Sequence, residues 1–442
     1  MKSTRLHRFA GFTLLSVTAF LPSQANAASL YFNTSSGNWE NQNNWDAQTN
    51  SGPPHFNTIY YPANAVPTRD NDDYAIIRGG RTANVSSSGS AFIVRVGDYD
   101  ETNAPTSGTL NITGGSLLVY DTAIEHGGAI NVSGGSLFSS DPDTHANSSI
   151  HIGNGSVNLA GTGLVQVGVN SAGTVYMQPS SGTATLNIGT GGTAGTLAAA
   201  RIVGNGNAVV NFNHTGAVTF DTRLTGQLSM TKSGAGTTLL TGANIYAGES
   251  GNTYSGGTTI NAGTLVAGGD FSGDKSSLGT GAVTVNDGGT LAGNDHITGH
   301  TTIKDGGHLA LGGSDVLRFD GGLTLEDGAS LDFSLGGPAG FIVIGDGVFA
   351  AGGTITVNLS DAGAFAENTP YILIAFDDAD SFANTAQFQL GTQIDGFTTV
   401  LSFDGNSLVA TATVGTAVPE PSAYAALAGL AALVLAFTRR RR

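Results

Sequence analysis

The chain has 442 residues, with 17 Lys+Arg against 33 Asp+Glu, a formal net charge of −16. It has no cysteine, which excludes disulfide stapling and a thiol nucleophile. So few basic residues leave no patch for a phosphate backbone, so nucleic acid is excluded as a partner.

Lys2, Arg5 and Arg8 form a basic start, and Phe9 to Leu21 is apolar apart from two threonines, a serine and a glycine. Ala25-Asn26-Ala27 then offers the small residues that signal peptidase requires. Residues 1–27 are therefore expected to be a signal peptide, cleaved before Ala28, and the mature chain to be exported. Without this segment and the terminal tail from Pro419, 10 basic and 32 acidic residues remain, a net charge of −22. Such a charge favours solubility outside the cell and leaves carboxylates for divalent cations.

Residues 28–96 hold both tryptophans, Trp39 and Trp45, in an Asn-rich stretch, followed by Asp70-Asn71-Asp72-Asp73 and a strand-like run from Tyr74 to Arg78. One reading is an N-terminal cap whose aromatics close the open end of a stack of strands. The other is a carbohydrate-contacting face built from Trp39 and Trp45 with Tyr60 and Tyr61.

From 97 to 340 the chain repeats itself. Asn111-Ile112-Thr113-Gly114-Gly115-Ser116-Leu117 recurs as Asn131-Val132-Ser133-Gly134-Gly135-Ser136-Leu137, and related elements follow around Asp287, Asp305 and Asp327. Steps near twenty residues mark a solenoid. Val283 and Val285 alternate with polar neighbours, which puts branched apolar side chains on one face and threonines on the other. Asp-Gly and Gly-Gly pairs allow the positive φ needed to turn into the next strand. A single coil cannot bury its apolar face, but stacked coils about 4.8 Å apart pair every backbone group. The expected fold is all-β, a right-handed parallel β-helix with caps at both ends.

One stretch is more specific. Thr231-Lys232-Ser233-Gly234-Ala235-Gly236-Thr237-Thr238-Leu239-Leu240-Thr241-Gly242-Ala243-Asn244, followed by Thr253-Tyr254-Ser255-Gly256-Gly257-Thr258-Thr259-Ile260-Asn261-Ala262-Gly263-Thr264-Leu265, resembles the autotransporter-associated β-strand repeat. That resemblance implies the right-handed parallel β-helix of secreted passenger domains. Ile245 to Asn252 is an insert in the pattern and is expected to loop out. The large C-terminal barrel of that family has no counterpart here.

Motifs for catalysis are sparse. The sequence has no Gly-x-Ser-x-Gly elbow, phosphate loop, Gly-x-Gly-x-x-Gly fingerprint or His-Glu-x-x-His. His296 and His300 would share one side of an extended strand, with His308 nearby, but solvated strand or turn positions explain them better than a transition metal does. The acidic groups Asp70/Asp72/Asp73, Asp98/Asp100/Glu101 and Asp377/Asp378/Asp380 have the oxygen-rich character that suits calcium, or are solvated turns. Arg201 and Arg223, one coil apart with Asp221 nearby, are the nearest approach to a polysaccharide lyase or hydrolase site. No catalytic residue and no metal site is assigned, and the chain is not expected to be an enzyme.

From 341 to 416 longer apolar strands appear, such as Tyr371 to Phe376 and Thr398 to Phe403, and a mostly antiparallel β cap is expected. Residues 417–442 are different again: Val418-Pro419-Glu420-Pro421, an apolar run of about 16 residues from Ala423 to Thr438, then Arg439, Arg440, Arg441 and Arg442. This is marginal for a transmembrane helix, which needs roughly 17 to 25 residues, and its basic stop fits the positive-inside rule. The tail resembles the PEP-CTERM sorting signal, with Pro419, Glu420 and Pro421 matching the motif. The resemblance implies recognition by a membrane-bound cysteine peptidase of the exosortase type, with the membrane contacted through the tail before processing. It also implies a setting in extracellular polysaccharide and biofilm matrix. Together these features give an exported structural or adhesive protein of the cell surface or extracellular matrix. A carbohydrate-binding surface protein is the alternative, and a β-helical polysaccharide lyase or hydrolase a more distant one.

Overall fold

A computed structural model describes residues 29–47, 73–99, 104–140, 148–241, 251–268, 276–336, 340–363, 365–377 and 387–414. The expected signal peptide, Tyr60, Tyr61 and the expected sorting tail with its apolar segment lie outside them. Among the described residues no α-helix occurs, and no helix is long and apolar enough to cross a membrane.

Stacked parallel sheets make up most of the structure. The longest has thirteen strands and runs from Ser36–Asn38 to Phe349–Ala351, each strand lying beside the one a coil later. A twelve-stranded sheet flanks its N-terminal half, and eight- and six-stranded sheets flank the C-terminal half. The chain visits them in rotation. It passes from Ala208–Phe212 in the long sheet to Ala217–Phe220 in the eight-stranded sheet and Arg223–Gly226 in the twelve-stranded one, then back to the long sheet at Ser229–Lys232. From Arg81–Val85 onward the return interval varies from 18 residues (Val283 beside Thr301) to 29 (Gly155 beside Ala184), and the first step, Ser36 beside Thr82, is 46. The pairing holds because the strand core keeps its register while the turns absorb the difference in length.

Alternation in the sequence determines which way each residue faces. Gly108–Ile112, Gly128–Val132, Ala184–Ile188 and Ala208–Phe212 all alternate buried and half-buried positions. A one-residue slip would expose every apolar side chain, so the register is strongly specified. The interior column of the long sheet reads Val85, Ile112, Val132, Leu159, Ile188, Phe212, Lys232, Ile260, Val285, Ile303, Leu325 and Ala351, all buried. Lys232 interrupts an otherwise apolar file.

The Asp-Gly turns stack as well. Gly306 and Gly328 have φ of +69° and +83°, and a Cβ on either would overlap the carboxylate of Asp287 or Asp305 from the turn one coil earlier. Glycine is required there twice over, by conformation and by the close approach of the preceding turn.

Both ends differ in extent from the sequence expectation. Tyr74–Ile77, Arg81–Val85 and Gly89–Val96 already pair in parallel within the stack, so the N-terminal closure is made by Ser29–Phe32 and the antiparallel Trp45–Ala47. At the other end Phe341–Ile344, Phe349–Ala351, Thr354–Asp361 and Gln387–Leu390 also join in parallel. Only Pro370–Phe376, Ser407–Val414 and Phe397–Asp404 form antiparallel pairs, where the tight Asp404-Gly405-Asn406-Ser407 turn reverses the chain. The two halves of the autotransporter-like stretch stack in register, Met230 beside Thr258 and Thr237 beside Thr264. Residues 245–250 of its insert lie outside the described ones. Asn252 is not looped out as expected: it is buried, accepts from the Leu224 amide at 2.8 Å and donates to the Ser277 carbonyl at 2.5 Å.

Candidate functional site

The outward side of the long sheet carries an asparagine ladder. The Nδ2 of Asn111 donates to Oδ1 of Asn84 at 2.9 Å, and Asn131, Asn158, Asn187 and Asn211 continue the chain at 2.8, 2.7, 2.7 and 2.9 Å. Ser233 closes it by donating to Asn211 Oδ1 at 2.7 Å. Each amide donates to the coil before it and accepts from the coil after it, so all point the same way. In register after Asn211 the same sheet carries a threonine column, Thr231, Thr259, Thr284, Thr302 and Thr324.

Aromatic residues stack along the twelve-stranded sheet. Phe92 and Tyr120 lie 5.0 Å apart at 12°, and His151 and Tyr176 lie 4.9 Å apart at 16°. Near-parallel rings at the rung spacing spend their faces on one another and turn edges outward, which suits a ladder better than a sugar platform. Beside them Ser149 Oγ lies 3.0 Å from Asp121 Oδ1 and 2.9 Å from His151 Nε2. Burial pushes the Asp121 carboxyl up, against the lowering pull of His151 and of its own hydrogen bonds.

Trp39 and Trp45 do not form a carbohydrate face. Both are fully buried, packed edge to face at 4.8 Å, with Phe32 against Trp45 at 5.1 Å and the Trp45 indole N–H donating to the Trp39 carbonyl at 2.8 Å. Closing the end of the interior takes up both rings.

The histidines separate. His296 pairs with Asp320, which also accepts from Arg318 at 2.7 Å, and Arg318 reaches Asp377 at 2.6 Å. His300 lies beyond the turn, 3.0 Å from Thr324 Oγ1, so it does not share a strand face with His296. Of the acidic groups, Asp73 is buried, Asp98 pairs with Arg95 at 3.7 Å and Asp377 is held by Arg318. Asp70, Asp72, Asp100, Glu101, Asp378 and Asp380 lie outside the described residues. Among the described residues no three His, Asp or Glu converge on one point. Arg201 and Arg223 stack one coil apart, but Arg201 donates to Thr174 at 3.2 Å and Arg223 to the Gly251 carbonyl at 3.0 Å.

A groove of about 540 Å³ opens on the eight-stranded sheet, floored by Ala292 and Ala310 and edged by Asp315, Asp332, Ser334 and Asn358. Asp332 is held at both oxygens, by His308 Nδ1 at 2.7 Å and Asn358 Nδ2 at 2.7 Å, while Asn358 Oδ1 accepts from the Thr392 amide at 2.9 Å. This series was missed in the sequence because its members are 24 and 26 residues apart. The asparagine ladder did leave a signal, the recurring apolar-Asn-apolar triplet at Ala83-Asn84-Val85, Leu110-Asn111-Ile112, Ile130-Asn131-Val132, Val157-Asn158-Leu159, Leu186-Asn187-Ile188 and Val210-Asn211-Phe212.

No protein-family model matches this chain, and no curated protein matches it.

Proposed function

We propose that this is an exported structural or adhesive protein of the cell surface or extracellular matrix, wound as a right-handed parallel β-helix and processed at its C-terminus by an exosortase-type peptidase. The observation that carries the reading is the unbroken thirteen-strand parallel sheet faced with hydrogen-bonded asparagines and then threonines. Twelve steps of about 4.8 Å make a stiff element about 58 Å long. Such ladders serve rigidity, since each outward polar group is spent on its neighbour. Signal peptidase would remove residues 1–27, and the Pro419-Glu420-Pro421 motif, apolar run and Arg439–Arg442 stop would hold the chain at the membrane until it is cut.

The groove around Asp332 favours carbohydrate binding as the second reading, because small alanines beside fixed carboxylate, amide and hydroxyl groups suit a polyhydroxyl ligand. Replacing Pro419, Glu420 and Pro421 by alanine is expected to leave the arginine tail on a membrane-bound form. Intact-mass spectrometry of envelope and medium reads this directly, and normal release of a tail-less variant would sink the sorting proposal.

A further inference from the structure

We propose that the groove on the eight-stranded sheet binds an amino sugar through its free ammonium group, with Asp315 as the ionic partner. The proposal rests on the carbohydrate reading of that groove and names its ligand class. The groove follows the axis of the stack. Ala292, Ala310, Asp332 and Asn358 stand in register on four successive strands. Three steps of about 4.8 Å give it a length of roughly 14 Å, which suits a short oligosaccharide rather than a single ring. Small residues keep it open: the floor is alanine, and at Gly312 even an added Cβ would come no closer to another residue than 3.8 Å, to Ser334.

In the asparagine ladder each outward polar group is taken up by the coil before or after it, but in the groove several are not. Both oxygens of Asp332 are occupied, by His308 and Asn358. The Asp315 carboxylate, by contrast, makes no hydrogen bond or ion pair among the described residues, and the hydroxyls of Ser334 and Thr392 are equally uncommitted. Asp315 is fixed through its backbone instead, its amide donating to the Gly312 carbonyl at 3.1 Å and its carbonyl accepting from the Phe341 amide at 3.1 Å. A rigid turn therefore presents one free anion, with free hydroxyls, to a single cavity. Its lining contains no Lys or Arg to pair with a uronate or sulfate, and its one aromatic residue, Phe333, is buried, so no ring face is offered for stacking on a sugar. Charge is then the main source of affinity, and an ammonium supplies three donors for the carboxylate and a neighbouring hydroxyl. The excess of 33 acidic over 17 basic residues draws a cationic glycan and repels an anionic one.

Isothermal titration of the full chain with defined tetrasaccharides tests this at about 0.15 M salt, where long-range attraction is screened. The glucosamine tetramer is expected to bind at least tenfold tighter than the N-acetylglucosamine tetramer, and a galacturonate tetramer not to bind. Asp315→Asn should abolish the preference with circular dichroism unchanged, since the carboxylate takes no part in the fold. Asp404→Asn removes the same charge from an exposed site outside the groove and should keep the preference. Equal losses in the two variants would reveal general attraction of a cation to an acidic chain and overturn the site. Ala310→Leu fills the floor from the outward face and should block every ligand of the groove. If the wild type binds both glucosamine tetramers equally and Ala310→Leu blocks both, ammonium recognition falls while the carbohydrate reading stands. Binding that Ala310→Leu leaves intact, or no binding of any tetramer, overturns both.

Discussion

Lys232 offers the sharpest test of the interior. It occupies the buried column between Phe212 and Ile260, and its ammonium donates to the carbonyls of Gly234 and, at 3.3 Å, Ala262. Burial lowers its pKa from 10.5 to about 8. The folded chain then binds this proton less readily than the unfolded chain, so stability rises with pH between 8 and 10.5 and the full penalty applies below 8. That difference corresponds to about 3 kcal/mol in total, of which about 1 kcal/mol is recovered between pH 7 and pH 9. Lys232→Met keeps the length and removes the titration. At pH 7 its net effect should be small, since relief of the buried charge is offset by two carbonyls losing a donor at about 1–3 kcal/mol each. The difference should lie in the slope: the wild type gains about 1 kcal/mol over the variant from pH 7 to pH 9. Coils can unfold in segments, so amide hydrogen exchange across residues 229–232 and 258–260 is the suitable assay. Parallel pH profiles for the two proteins would refute the burial of a charged lysine.

Asn158 sits mid-ladder, so Asn158→Ala breaks one donated and one accepted hydrogen bond and should cost about 1–3 kcal/mol, read as lost exchange protection in the adjoining coils. Asn158→Asp should cost more, because it loses the donor to Asn131 and brings charge to a half-buried column. Gly306→Ala must hold alanine at positive φ against the Asp287 carboxylate and should destabilise by about 1–3 kcal/mol; the pair with Asp287→Ala, measured in a double-mutant cycle, should recover part of that loss.

Local periodicity made the stack legible. Val283 and Val285 announce their inward direction by alternation, and both are buried. The glycine pairs announce turns, and Gly306 and Gly328 take the expected positive φ. The extent of the parallel pairing was not legible, because Phe341–Ile344 and Phe397–Asp404 are equally apolar and only the partner strand distinguishes them. Trp39 and Trp45 left two readings open in the sequence for a related reason. A tryptophan in a polar neighbourhood fits a sugar face or an end closure alike, and burial of Trp39 against Trp45 decides for closure.

The polar outward residues show why a functional site is hard to see in such a chain. In one coil Asn131, Thr231 or Asp332 is an unremarkable surface residue, and its role depends on what stands one coil away. Where the neighbour is the same residue, as from Asn84 to Asn211, the column satisfies itself and stiffens the sheet. Where the neighbour differs, as with His308, Asp332 and Asn358, the groups hold one another in fixed directions beside a groove. A stack of parallel strands of this kind therefore divides its surface by homogeneity. Uniform columns satisfy themselves, whereas the mixed C-terminal columns hold unlike groups in fixed directions beside the groove.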